Sequence, residues 1–120
     1  MNTHKDLVAW KNSIDLVTSI YKITNDFPKS EIYSITSQIR RCTVSIPSNI
    51  VEGTGRSHDK DFIQFLYISL GSLSELETQL IISNNIEYLS IKNFKFLSDK
   101  IIFIRAQITG LIKHLKSKES

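Results

Sequence analysis

The sequence predicts an all-α protein, an antiparallel up-down-up-down four-helix bundle formed by a single domain over residues 1–120. Three observations lead there. Large apolar residues recur at three- and four-residue steps through four long segments, the period of an amphipathic helix. Breaker clusters part the segments: Asn25-Asp26-Phe27-Pro28, Gly53-Thr54-Gly55 and Asn84-Asn85. No segment reads as a strand. Ile101-Ile102-Phe103-Ile104 is β-prone, but it lies inside a helical period and lacks turn signals. Short connections between amphipathic helices make antiparallel neighbours.

The first helix is expected from about Asp6 to Asn25. Leu7, Trp10, Ile14, Val17 and Tyr21 form its stripe, widened by Leu16, Ile20 and Ile23. The second is expected to start after Ser30, a residue that caps helix N-termini well, and to end at Gly53-Thr54-Gly55. Its apolar face carries Ile32, Ile35, Ile39, Cys42, Ile46 and Ile50. Pro47 stands inside it; a proline lacks an N–H and frees the carbonyl four residues back, here that of Thr43. The third helix follows Ser57, with Asp59 and Asp61 where the helix dipole favours acids. Its stripe is Phe62, Leu66, Ser69, Leu73, Leu76 and Leu80. Gly71 in this helix costs about 1 kcal/mol relative to alanine, so a close packing contact is expected there. The fourth follows Ser90, with Phe94, Leu97, Ile101, Ile104, Ile108, Leu111 and Leu115 at heptad spacing.

Composition narrows the class. With 41% hydrophobic and 22% charged residues the chain matches a globular protein rather than a disordered one. Its one cysteine, Cys42, excludes an intrachain disulfide and fits a reducing compartment. The polar start Met1–Asp6 has no signal-peptide core, and no apolar run is long enough to span a membrane, so the expected location is the cytoplasm, without membrane partners. A net charge of +3 permits nucleic-acid binding without demanding it.

A polar line runs beside the apolar stripe of the second helix: Gln38, Arg41, Ser45, Ser48 or Asn49, and Glu52. A matching line on the third holds Ser72, Glu75 and Gln79. Antiparallel packing lets the two meet. The expectation is a hydrogen-bonded network between helices, with Arg41 bonded to Glu75 or a nearby acceptor, fixing register more than adding stability.

The segments Ser37-Gln38-Ile39-Arg40-Arg41-Cys42, Ser45-Ile46-Pro47-Ser48-Asn49-Ile50-Val51-Glu52-Gly53 and Phe65-Leu66-Tyr67-Ile68-Ser69-Leu70-Gly71-Ser72-Leu73-Ser74-Glu75-Leu76-Glu77-Thr78-Gln79-Leu80 carry a resemblance. Together with Leu7-Val8-Ala9-Trp10-Lys11, Phe27-Pro28 and Tyr33, they resemble the four-helix-bundle family encoded by intervening sequences of bacterial large-subunit ribosomal RNA genes. That family is related to the accessory variability determinant of diversity-generating retroelements. The likeness covers nearly the whole chain; Cys42 and Val51 stand where small alanines are expected. It implies a homopentamer and a non-enzymatic role with nucleic acid, with a reverse transcriptase as a potential partner.

No cofactor or catalytic constellation is expected. His4, His58 and His114 have no partner at metal-ligand spacing. Gly53-Thr54-Gly55-Arg56-Ser57 lacks the lysine of a phosphate loop and follows a helix, so it reads as a turn. Up-and-down connectivity gathers Lys5, Lys11, Arg56, Lys60, Lys113, Lys116 and Lys118 at the end holding both termini. Lysine and arginine outnumber acids there by about two per subunit, or about ten around a five-fold ring, enough to attract phosphate backbones. Two functions follow: a nucleic-acid-binding accessory oligomer through these bases, or a structural, protein-interaction bundle that touches no nucleic acid.

Overall fold

The structure, a computed structural model, describes residues 3–118. It is a four-helix bundle: α1 (His4–Thr24), α2 (Ile35–Thr54), α3 (Asp59–Asn85) and α4 (Ile91–Lys118), with no strand among the described residues. Each helix packs on two others in the cyclic order α1–α2–α3–α4–α1, and diagonal pairs do not approach. The molecule measures 49 × 24 × 19 Å.

The start of α1 is set by a capping box. Thr3 Oγ1 accepts from Asp6 N at 3.1 Å, and Asp6 Oδ2 accepts from Thr3 N at 3.1 Å. The helix therefore begins two residues before the Asp6 start that apolar periodicity suggests. Its buried line is also rotated from the expected stripe: Asp6, Ala9, Ser13, Leu16, Ile20 and Thr24 face inward, while Ile14 and Tyr21 are exposed. Small residues let the helix approach its neighbours closely, and the larger ones are displaced to the flanks. Inside, Ser13 and Thr24 return their hydroxyls to the carbonyls of Ala9 and Ile20 at 3.0 and 2.6 Å, which satisfies both groups.

The second helix starts later than Ser30. Pro28 leads into a 3-10 turn, Lys29–Glu31, and α2 opens at Ile35. Ser34 precedes it but spends its hydroxyl on Glu31, donating to Oε2 at 2.7 Å. Ile32 consequently lies outside the helix and Tyr33 is 95% exposed. Helix α2 then runs unbroken through Pro47, whose ring is buried. In α3 and α4 the expected stripes are the observed core: Phe62, Leu66, Ser69, Leu73, Leu76 and Leu80, then Leu97, Ile101, Ile104, Ile108, Leu111 and Leu115, with Phe94 packed at the margin. Glu87, in the α3–α4 turn, has φ of 66°, the left-handed region.

Contacts between turns fix the topology. Phe27 of the α1–α2 turn meets Tyr88 of the α3–α4 turn, ring centroids 5.8 Å apart. At the other end Lys118 lies 3.5 Å from Asp59, which joins the end of α4 to the start of α3. Across the closing α1–α4 seam, Asn12 Nδ2 donates to Gln107 Oε1 at 3.0 Å and Lys100 Nζ to Asp15 Oδ2 at 2.6 Å.

Candidate functional site

The α2–α3 seam is built from small residues. Gly53 near the end of α2 leaves no room for a side chain: a Cβ there would sit 2.6 Å from Phe62 Cδ1 and 3.0 Å from Phe65 Cβ. Further along, buried Ser69 donates to the Ile46 carbonyl at 2.9 Å, a side chain of α3 bonded to the backbone of α2. Ser45 and Ser72 share a hydrogen bond of 2.8 Å, and Asn49 Nδ2 donates to the Ser45 carbonyl at 2.8 Å and to its hydroxyl at 3.0 Å. Cys42 donates weakly to Gln79 Oε1 at 3.7 Å, and Gln79 Nε2 reaches Glu75 Oε1 at 3.4 Å.

The two polar lines thus meet in part. Ser45, Asn49, Ser72 and Gln79 lie together in the seam. Arg41 is the correction. It lines the same shallow depression as Gln38, Cys42, Ser45, Ser72 and Glu75, yet it is exposed and makes no ion pair with Glu75. Small facing side chains bring the helices too close to admit a guanidinium between them, so Arg41 projects into solvent and Glu75 stays exposed. Gln38 is exposed too, and Glu52 turns to its own helix end, where it holds Arg56 at 2.8 Å. Periodicity did not single out the Ser69–Ile46 bond, because Ser69 reads simply as a small member of the apolar stripe.

Cys42 is buried beside this seam. Loss of hydration, helped by the negative charge of Glu75, pushes its thiol from 9.0 up to about 12. A thiol held neutral is a poor nucleophile near neutral pH. Among the described residues no group of three or more His, Cys, Asp or Glu is placed to hold a metal ion.

The expected basic end is real as a grouping. The start of α1 and the end of α4 share a cavity lined by His4, Lys5, Val8, Ala106, Gln107, Gly110 and Leu111. Lys116 Nζ donates to Tyr67 Oη at 2.8 Å, again joining α4's end to α3's start. Lys11 stands about 9 Å further up α1, at 1.5 Å per residue from Lys5. Three of the seven bases are engaged locally: Arg56 with Glu52 and over the Phe65 ring at 4.7 Å, Lys116 with Tyr67, and Lys118 with Asp59. Lys5, Lys11, Lys60 and Lys113 are exposed and have no ion pair among the described residues. Lys60 sits between Asp59 and Asp61 in a depression at the start of α3, which tempers its field. Glu119 lies outside the described residues.

The model of the family described as 23S rRNA-intervening sequence protein matches residues 5–110. The chain belongs to that family. The match spans all four helices, short of the last turns of α4. Among solved structures, the fold is similar to the crystal structure of a protein of unknown function of the S23 ribosomal protein family from Bacteroides thetaiotaomicron. The TM-score is 0.84 and the identity 24%, over 91% of this chain and 98% of that one. No curated protein matches. No helix among the described residues is long and apolar enough to cross a membrane.

Proposed function

We propose that this member of the rRNA-intervening-sequence family is a non-enzymatic, oligomeric accessory protein that binds RNA or DNA with the end carrying its termini. The observation that carries the reading is the set of exposed lysines at that end with no ion pair among the described residues, Lys5, Lys60 and Lys113, with Lys11 just above. Such groups attract phosphates without reading bases, and repetition around a homopentamer multiplies the attraction. The resemblance of its helix motifs to retroelement accessory proteins supports a reverse transcriptase as the protein partner of this reading. The reducing cytoplasm, which suits a lone buried cysteine, is its compartment.

Fluorescence anisotropy with labelled RNA and DNA of equal length tests it. Affinity should be similar across sequences and fall with salt at a log–log slope of about −2 to −3, for three or four phosphate contacts to a single strand. Alanine at Lys5, Lys60 and Lys113 together should flatten that slope. A folded oligomer that gives no shift at low salt would defeat the reading.

A specific observation favours the second reading, a protein-interaction bundle. Ile68, Ile81 and Ile82 on α3 and Ile102 and Phe103 on α4 are exposed, more apolar surface than these helices need to bury in one copy. Light scattering that gives a monomer at micromolar concentration would remove the oligomer from both readings.

A further inference from the structure

We infer that the cavity beneath the α1–α2 turn is a binding site for phosphate, either free or as a phosphate monoester. The cavity, of about 320 Å³, lies between the end of α1, the turn and the first turns of α2. It is at the opposite end of the bundle from the lysines of the proposed nucleic-acid surface, and the inference does not depend on that surface.

Thr36 supplies the first reason. It is 1% exposed and lines the cavity, yet its hydroxyl has no hydrogen-bond partner. Buried hydroxyls in native folds are paired, because an unpaired one loses its hydration for nothing. Thr18, Thr24, Thr43 and Thr78, by contrast, each return their hydroxyl to a carbonyl four residues back.

Arg40 supplies the second. Its Nε donates to Thr24 Oγ1 at 3.0 Å, and its guanidinium carbon lies 4.6 Å from the centre of the Tyr21 ring. These contacts hold the guanidinium in place at the cavity, while its Nη groups have no acceptor among the described residues. A fixed guanidinium fork suits a tetrahedral oxyanion by two parallel bonds. Lys29 adds a second positive charge, and no acidic residue lines the space. Of the two acids in this connection, Glu31 is engaged by Ser34 and Asp26 is exposed and does not line the cavity. Phe27, Pro28 and Ile32 make an apolar wall that strengthens charge–charge attraction inside. Its size is at the low end of small-ligand sites, about 300–1,000 Å³, which suits phosphate with little attached.

Thermal unfolding of the full chain in inorganic phosphate, against chloride at matched ionic strength, tests the site. Phosphate should raise the midpoint of the unaltered protein. Thr36→Val should fold at least as well without phosphate, since it removes only an unpaired hydroxyl, and should lose the phosphate-dependent shift. Arg40→Lys keeps the charge but not the fork, and should weaken binding by about tenfold or more. Two short oligoribonucleotides, identical but for a 5′-phosphate or 5′-hydroxyl, identify the source. Arg40-dependent preference for the phosphorylated strand assigns the site to strand ends, and equal binding assigns it to free phosphate. The absence of a phosphate-specific shift, or a shift unchanged in both variants, would overturn the site.

Discussion

The two sides of α3 use the same residue types to different ends. Toward α2, each small residue answers to a neighbour: Ser69 bonds the Ile46 carbonyl, Ser72 bonds Ser45, and the Phe62 ring and Phe65 Cβ crowd Gly53. On the outer side, Gly71 faces open space, with nothing within 4 Å of where a Cβ would be. Around it the exposed positions from Gln64 to Asn85 include Tyr67, Ile68, Ser74, Thr78, Ile81 and Ile82, with Glu75 as the one charge. The inner pattern is explained by a single copy of the chain and the outer one is not. A helix keeps glycine and exposed isoleucine at some cost, so the outer side of α3 is where a second copy or another protein is to be sought.

Substitutions can break this contrast. Gly53→Ala should have the largest effect, a net destabilisation of about 1–3 kcal/mol from overpacking, in spite of alanine's better helix propensity. Urea unfolding checks it; a gain in stability would show that α2 and α3 can part at no cost. Cys42 gives the next effect. Its folded pKa lies above the unfolded value, so its contribution is full below pH 9 and is lost as pH rises from 9 toward 12. The unfolded chain sheds the thiol proton first, and stability should fall by up to about 1.4 kcal/mol per pH unit relative to Cys42→Ala. Matching pH profiles for the two proteins would contradict the buried neutral thiol.

Gly71→Ala should act in the opposite sense to Gly53→Ala. At high dilution it should stabilise the chain by about 1 kcal/mol, since alanine fits the helix and meets nothing. At high concentration it should weaken self-association, read by light scattering, because a methyl group keeps a neighbour's backbone away. Destabilisation at high dilution would erase the difference between the two sides. The smallest effect belongs to Arg41→Ala, within about 0.5 kcal/mol, as for other exposed positions. A loss of several kcal/mol would restore the buried ion pair that the seam does not contain.

How much of this was legible varies from helix to helix, for physical reasons. Helices α3 and α4 carry large apolar residues along their buried lines, and hydropathy reads such lines directly. Helix α1 buries Ala9, Ser13 and Thr24, which carry little hydropathy signal, so periodicity places its stripe about one flank away. The capping box at Thr3 and Asp6 was a visible signal, a threonine three residues before an acid, hidden behind the apolar pattern. Ser30 has the chemistry of a cap, but Pro28 commits the chain to a 3-10 turn first. In the seam, residue type forecast the serine and amide contacts but not how close the helices come, and that distance decides the place of Arg41. The grouping of Thr36, Arg40 and Thr24 at one cavity joins residues of two helices and has no local signature.

The order in which the four seams close has a consequence for time rather than stability. Three seams join helices consecutive in the chain, while the α1–α4 seam joins Asn12 to Gln107 and Asp15 to Lys100, across nearly the whole length. Long-range closure carries the largest chain-entropy cost, and it is repaid only after the local pairs exist. The bundle should therefore assemble as a stack of hairpins and shut last along α1–α4. Asp15→Ala should speed unfolding in stopped-flow experiments and leave the refolding rate unchanged; slower refolding would place that seam in the nucleus. By microscopic reversibility, the seam that shuts last is the one expected to part first when the bundle opens.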